Sequence, residues 1–200
     1  MILTLGCSLT ILSDLGTSPF DALLVGLSMQ VGLTVGSWEF IIAAIMIIFN
    51  ASLNKQRPEV WGLLTAFITG LGIDLWLFLL QTVIQPEHMF PKLICVSMGL
   101  TVLGLGTAIY LHANFAPIPV DRLMLIIQDL TGMNILFSKT LIYLFFLGMA
   151  FMFNGPIGIG TLLTVCLGGP ILNYFSPLIG KRLSAITSSV NNDEGNNHSY

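Results

Sequence analysis

Charge is what this chain lacks most. Of its 200 residues, 7 are Lys or Arg and 10 are Asp or Glu, a charged share of 8%. A water-soluble domain carries roughly a quarter. From Thr140 to Gly180 there is no charged residue at all. So little charge cannot cover an aqueous surface, and with 54% hydrophobic residues the solvent that suits the chain is lipid. The composition therefore predicts a polytopic membrane protein whose first partner is the bilayer. The few basic residues also exclude nucleic acid as a partner, because that affinity comes from neutralising phosphates.

Chemical equipment is scarce as well. Cys7, Cys95 and Cys166 each stand alone in apolar sequence, without metal-ligand spacing or a disulfide framework, and read as small hydrophobes. His88 and His112 are isolated. There is no His-Glu-x-x-His, no Gly-x-Ser-x-Gly and no Walker sequence. The expectation is a protein with no metal, no cofactor and no catalytic residue, hence not an enzyme. Met1 opens directly into apolar sequence, with neither a basic leader nor a small-residue cleavage site, so no cleaved signal peptide is expected.

A spanning helix needs about 20 mainly apolar residues. Trp38–Leu53, Val60–Val83, Leu93–Leu111, Thr140–Phe153 and Thr161–Leu178 qualify as candidates, while Met1–Ser13 is apolar but short. The polar Gln85-Pro-Glu-His88 and the turn Asn154-Gly-Pro-Ile-Gly-Ile-Gly160 punctuate them, with proline and glycine as breakers. Two further segments have helical spacing but fall short of a span. Pro19–Val31 aligns Phe20, Leu23, Leu24, Leu27 and Val31 against Asp21 and Ser28; Pro119–Leu130 aligns Val120, Leu123, Met124 and Ile127 against Asp121 and Gln128. Each begins with proline at the first helical position, where no N–H is needed. Ser18-Pro-Phe-Asp21 also fits a capping pattern, which Ile118 weakens in the second segment. The polar residues 184–200 cannot bury a core and are expected to be disordered.

These segments recur. At an offset of 100 residues, Gly6, Pro19, Asp21 and Gly32 face Gly106, Pro119, Asp121 and Gly132. At an offset of 98, Pro58, Gly62 and Gly70 face Pro156, Gly160 and Gly168. Matched Gly, Pro and Asp outweigh matched Leu, because they are scarce and fix backbone geometry. The sequence thus predicts an all-α membrane bundle in residues 1–183: repeat one at 1–84, a loop at 85–92, and repeat two at 93–183. Each repeat reads as span, short helix, span, span. Met1 aligns with Thr101 although the second-unit helix starts near Pro91. About ten residues of a full first span are therefore missing. Either the start was placed late, or the first helix is short and a re-entrant element covers its end.

If the short helices do not cross, one side of the membrane receives Lys55, Arg57, Arg122, Lys139, Lys181 and Arg182, and the other only Lys92. The positive-inside rule favours that arrangement over eight spans. It gives about six spans, three per repeat. Three is odd, so the second repeat is inverted and both termini are cytoplasmic.

Gly16-Thr-Ser-Pro-Phe-Asp21 with its echo Ala116-Pro-Ile-Pro-Val-Asp121, followed by Gly32-Leu-Thr-Val-Gly36 and Gly70-Leu-Gly-Ile-Asp74, resembles the signature of the YczE/YyaS/YitT-like family of duplicated bacterial membrane proteins. The resemblance covers about residues 1–180. It implies a place in the bacterial cytoplasmic membrane and a permease-like role, without naming a substrate.

Acids at membrane depth carry the functional expectation, since each costs on the order of 2.5–3.5 kcal/mol to insert. Asp21 and Asp121, at equivalent positions of inverted repeats, would meet near the pseudo-two-fold axis, where several transporter folds bind solute and ion. The plainer alternative is that each merely caps its helix. Ser18, Pro19 and Pro119 accompany them as candidate substrate- or ion-binding residues, with Asp74 and Arg122. An Asp74–Arg122 or Asp21–Arg122 contact would serve structure or transport equally well. Glu39 reads as a carboxylate of a helix N-terminal turn, Asp129 as a solvated acid, and Trp38, Trp61, Trp76 and Tyr110 as interface anchors. Gly62, Gly70, Gly72, Gly160, Gly168 and Gly169 read as close helix packing.

Two functions stay open. One is a transporter or permease in which a proton or cation at the acids drives movement of a small polar solute. The other is a non-transporting accessory protein that binds a partner membrane complex, or a homo-oligomer. A water-accessible cavity reaching both acids would count against the second.

Overall fold

The computed structural model describes residues 1–55, 57–112, 118–132 and 135–197. Among these, every regular element is a helix: α1 Ile2–Leu12, α2 Pro19–Val31, α3 Val35–Asn54, α4 Val60–Leu80, α5 Met89–His112, α6 Pro119–Thr131, α7 Ile135–Met152 and α8 Ile159–Asn197.

The burial pattern is that of a bundle turned toward lipid. Ile48, Phe78, Phe145 and Leu162 are exposed, while Thr4, Ser8, Thr10, Ser13 and Thr17 are buried. That reverses the soluble arrangement. Buried hydroxyls of α1 bond within the protein: Thr10 Oγ1 donates to the Cys7 carbonyl at 2.8 Å, and Ser8 Oγ to the Ile73 carbonyl of α4 at 3.3 Å. Among the described residues, four helices are long and apolar enough to cross a membrane: α3, α4, α5 and the Ile159–Gly180 part of α8. Expectation had about six. The two that fall short are α1, at 11 residues, and α7, whose described apolar stretch is Phe137–Met152. At about 1.5 Å per residue, α1 reaches roughly 17 Å.

α1 is largely buried. It packs on α5 and α4, and glycines set the approach. A Cβ on Gly6 would strike the Leu103 backbone, and one on Gly106 would lie 2.5 Å from the Leu3 nitrogen. Gly99 meets Thr10 further along, so rising numbers on α1 meet falling numbers on α5 and the two helices are antiparallel. Gly36 of α3 and Gly70 of α4 pack on each other's carbonyls in the same way. With so little lipid–protein difference in apolarity, such close contact is what holds helices together in a membrane.

α2 and α6 start at the prolines that the sequence indicates, with Pro19 and Pro119 in the first turn. α2 packs on α7 and α6 on α3, around a core of Leu23, Leu27, Met46, Leu123, Ile142 and Phe146. Phe20 meets Phe146 edge-on, ring centroids 5.1 Å apart. α8 is described as far as Asn197, into the polar tail. Extending a helix already nucleated fixes only one residue per added hydrogen bond.

Candidate functional site

A cavity of about 170 Å³ opens where all eight helices converge. Its ionisable lining is Asp21 from α2, Glu39 from α3, Asp121 from α6 and Lys139 from α7. Tyr110 of α5 and Tyr143 of α7 add hydroxyls. Asp21 and Asp121 thus line one space, together with two residues assigned elsewhere from sequence.

Asp21 is buried and held locally. Ser18 Oγ donates to Asp21 Oδ2 at 2.7 Å, and Thr17 Oγ1 reaches the same oxygen at 3.5 Å. In return Ser18 Oγ accepts the Asp21 amide at 3.2 Å, capping α2. The second copy is built differently. Ile118 offers no side-chain cap, and its amide instead donates to the Tyr110 hydroxyl at 2.6 Å. Tyr110 is therefore a cavity residue bound to the start of α6, not simply an interface anchor. Asp121 receives no hydrogen bond among the described residues. Of its echo sequence, Ala116 and Pro117 lie outside the described residues.

Glu39 lies deeper than a residue of an N-terminal turn. It is 4% exposed, and its Oε1 accepts the Thr69 hydroxyl of α4 at 3.3 Å. Lys139, counted from sequence among the charges of one membrane face, stands on α7 and turns into the cavity, its Nζ 5.3 Å from the centroid of the Tyr143 ring. A signal for both was present: Glu39 and Lys139 are themselves one hundred residues apart, and an ionisable residue inside a span is by default a functional candidate.

The other candidates sit elsewhere. Asp74 contacts neither Arg122 nor the cavity. Its Oδ1 accepts the Gly36 amide at 2.8 Å and its Oδ2 the Thr34 hydroxyl at 2.6 Å, so it caps α3. Arg122 pairs with Glu59 at 2.6 Å, because α6 crosses the end of α3 beside the α3–α4 connection. Neither proposed arginine contact forms: Asp21 uses hydroxyl donors instead. Pro119 is buried and gives its carbonyl to Asn50 Nδ2 at 2.9 Å. Of the glycines read as packing sites, Gly70, Gly72 and Gly160 are in close contact, but a Cβ on Gly168 or Gly169 would meet nothing within 4 Å. Gly168 borders the cavity, which accounts for its open surroundings.

Among the described residues no group of three or more His, Cys, Asp or Glu is arranged to hold a metal ion. What the cavity can do is hold a small charged or polar species between acids, an ammonium group and phenol hydroxyls, within helices that face lipid.

Residues 1–177 match the "Family of unknown function (DUF6198)". The chain is similar to "Uncharacterized protein YyaS" of Bacillus subtilis, 60% identical over 179 residues, covering 90% of this chain and 89% of that one. It is similar to "Uncharacterized membrane protein YczE" of the same organism, 33% identical over 198 residues, covering 94% and 91%. An "Uncharacterized protein" of Haemophilus influenzae is 26% identical over 181 residues, covering 90% and 81%. No solved structure matches.

Proposed function

The chain belongs to the DUF6198 family and is an integral membrane protein, and from that premise we propose that it is a small-solute permease of the bacterial cytoplasmic membrane. The single observation that carries the reading is the meeting of Asp21 and Asp121, with Glu39 and Lys139, in one cavity among lipid-facing helices. Ionisable groups at that depth are costly, and a transport site is their most direct use. A cavity reaching both acids supports a permease over an accessory scaffold. No catalytic step is assigned to it.

The same proposal includes six spans in two inverted repeats, with α1 and α7 crossing beside the four longer helices and both termini cytoplasmic. Two observations support it. Contacts between α1 and α5 are reciprocal at the offset of 100: Gly6 with Leu103, and Leu3 with Gly106. Such exchange is the mark of a two-fold relation. The two helices are also antiparallel, so a two-fold axis relating them as spans lies in the membrane plane, which is the geometry of inverted repeats. α2 on α7 and α6 on α3 are likewise counterparts under this mapping.

The test is uptake of a panel of labelled small polar solutes into proteoliposomes under an imposed pH gradient. Uptake lost in Asp21→Asn and Asp121→Asn is the expected result; solute movement unchanged in both variants refutes the role given to the acids.

A further inference from the structure

Resting on the permease reading, we infer that the ligand of this cavity is a small organic ammonium ion, and that Lys139 is a tethered cation competing with it for the same carboxylates. Charge gives the sign of the ligand. Three acids, Asp21, Glu39 and Asp121, face the space against one ammonium, Lys139, so the lining has capacity for further positive charge.

Unfilled bonding positions say the same. Asp21 is held at one oxygen, Oδ2, chiefly by Ser18. Glu39, though 4% exposed, uses one carboxylate oxygen for Thr69, and its Oε2 receives no hydrogen bond among the described residues. Asp121 receives none, and the ion pairs within 4.0 Å among those residues are Lys92–Asp14 and Arg122–Glu59. Lys139 thus shares the cavity with acids it does not grip. Both carboxylates line the cavity, and an N–H-bearing cation is the donor that would fill Glu39 Oε2 and Asp121 together.

Size and lining narrow the class. A cavity of about 170 Å³ compares with the roughly 150 Å³ that accommodates benzene, which limits the ligand to about six or seven non-hydrogen atoms. Phe20, Ile73, Leu100 and Leu103 form hydrocarbon wall, suited to an alkyl chain and unsuited to a bare metal ion, which wants a shell of oxygens. The Tyr143 ring already carries an ammonium at 5.3 Å, showing that an aromatic face at this site accepts one. Lys139 would then be the resident substitute that an incoming amine displaces.

The experiment is calorimetric titration and thermal shift on the full chain in detergent, with n-propylammonium as probe and 1-propanol, propionate and potassium as comparisons. Propylammonium is expected to bind and 1-propanol and propionate not to. Glu39→Gln should weaken binding by about tenfold or more, whereas Lys139→Met should tighten it by about tenfold through loss of the competitor, each tenfold corresponding to about 1.4 kcal/mol. A gain of affinity cannot arise from misfolding, so the lysine variant keeps the idea testable if the glutamine variant folds badly. Propionate binding as well as the amine, potassium displacing the amine at equal concentration, or an unchanged affinity in both variants overturns the inference. Amine binding with the expected variant pattern but no flux of the amine in proteoliposomes upholds the ligand and sinks the permease. Flux of another solute without amine binding does the reverse.

Discussion

Asp74 on α4 accepts the amide of Gly36 on α3 at 2.8 Å, so a carboxylate from one helix caps the helix before it. The bond is possible because Gly36 and Gly70 bring the two backbones into contact one turn away. This acid therefore belongs to architecture, whereas Asp21 and Asp121 belong to the cavity.

Replacing Asp74 by Ala should lower stability by about 1–2 kcal/mol, the usual cost of a lost helix cap. Asp74→Asn, which keeps one acceptor oxygen, should lose less. Thermal unfolding of the purified protein reads the effect, and flux per folded molecule should hardly move. An Ala variant as stable as the parent would show that the cap is idle.

The α1–α5 seam should tolerate no side chain. Gly6→Val places a branched group against the Leu103 backbone, and overpacking of that kind costs about 1–3 kcal/mol or more. Gly148→Ala on α7, where a Cβ meets nothing within 4 Å, should be neutral or better by up to about 1 kcal/mol. Comparing the melting temperatures of the two variants checks the pair; equal effects would mean that the seam is not tight.

Gly168 offers the opposite experiment. A side chain there finds room and projects toward the cavity. Gly168→Leu should leave the melting temperature within a few degrees of the parent while cutting solute uptake at least tenfold. Loss of folding together with uptake, or no loss of either, would contradict the placement of that wall.

Reporter fusions or cysteine labelling at positions 32 and 132 should report opposite compartments, since these glycines end α2 and α6. Accessibility at Ser28 and Gln128, near the same helix ends, should divide in the same way. Both positions labelled from one side would abolish the inverted arrangement.

Much of the helical plan was legible. Proline at the first helical position, with apolar residues at helical spacing behind it, located α2 and α6 because those signals are local. The acid pair was legible too, because Asp21 and Asp121 share a sequence context. What was hidden depended on which helix lies beside which. Asp74 could not be matched to Gly36 without the register of α3 on α4. Glu39 and Lys139 looked like end-of-span charges because each stands in the first two turns of its helix; only the inward placement of α3 and α7 makes them cavity residues. The open faces at Gly168 and Gly169 were misread for a similar reason: a glycine in a membrane helix gives the same letter whether it touches a neighbour or borders a void.

Glu39 and Lys139 bear on how such a protein can change over time. Under the proposed duplication, a tandem of the first half alone would surround its hollow with four acids, Asp21 and Glu39 twice over, and no counterion. A tandem of the second half would set two aspartates against two lysines and come out neutral. Neither hybrid has the polarity of the natural chain, so the halves are no longer interchangeable parts. The first half brings two acids and the second the lysine, so replacing either by a copy of the other would change the charge of the hollow.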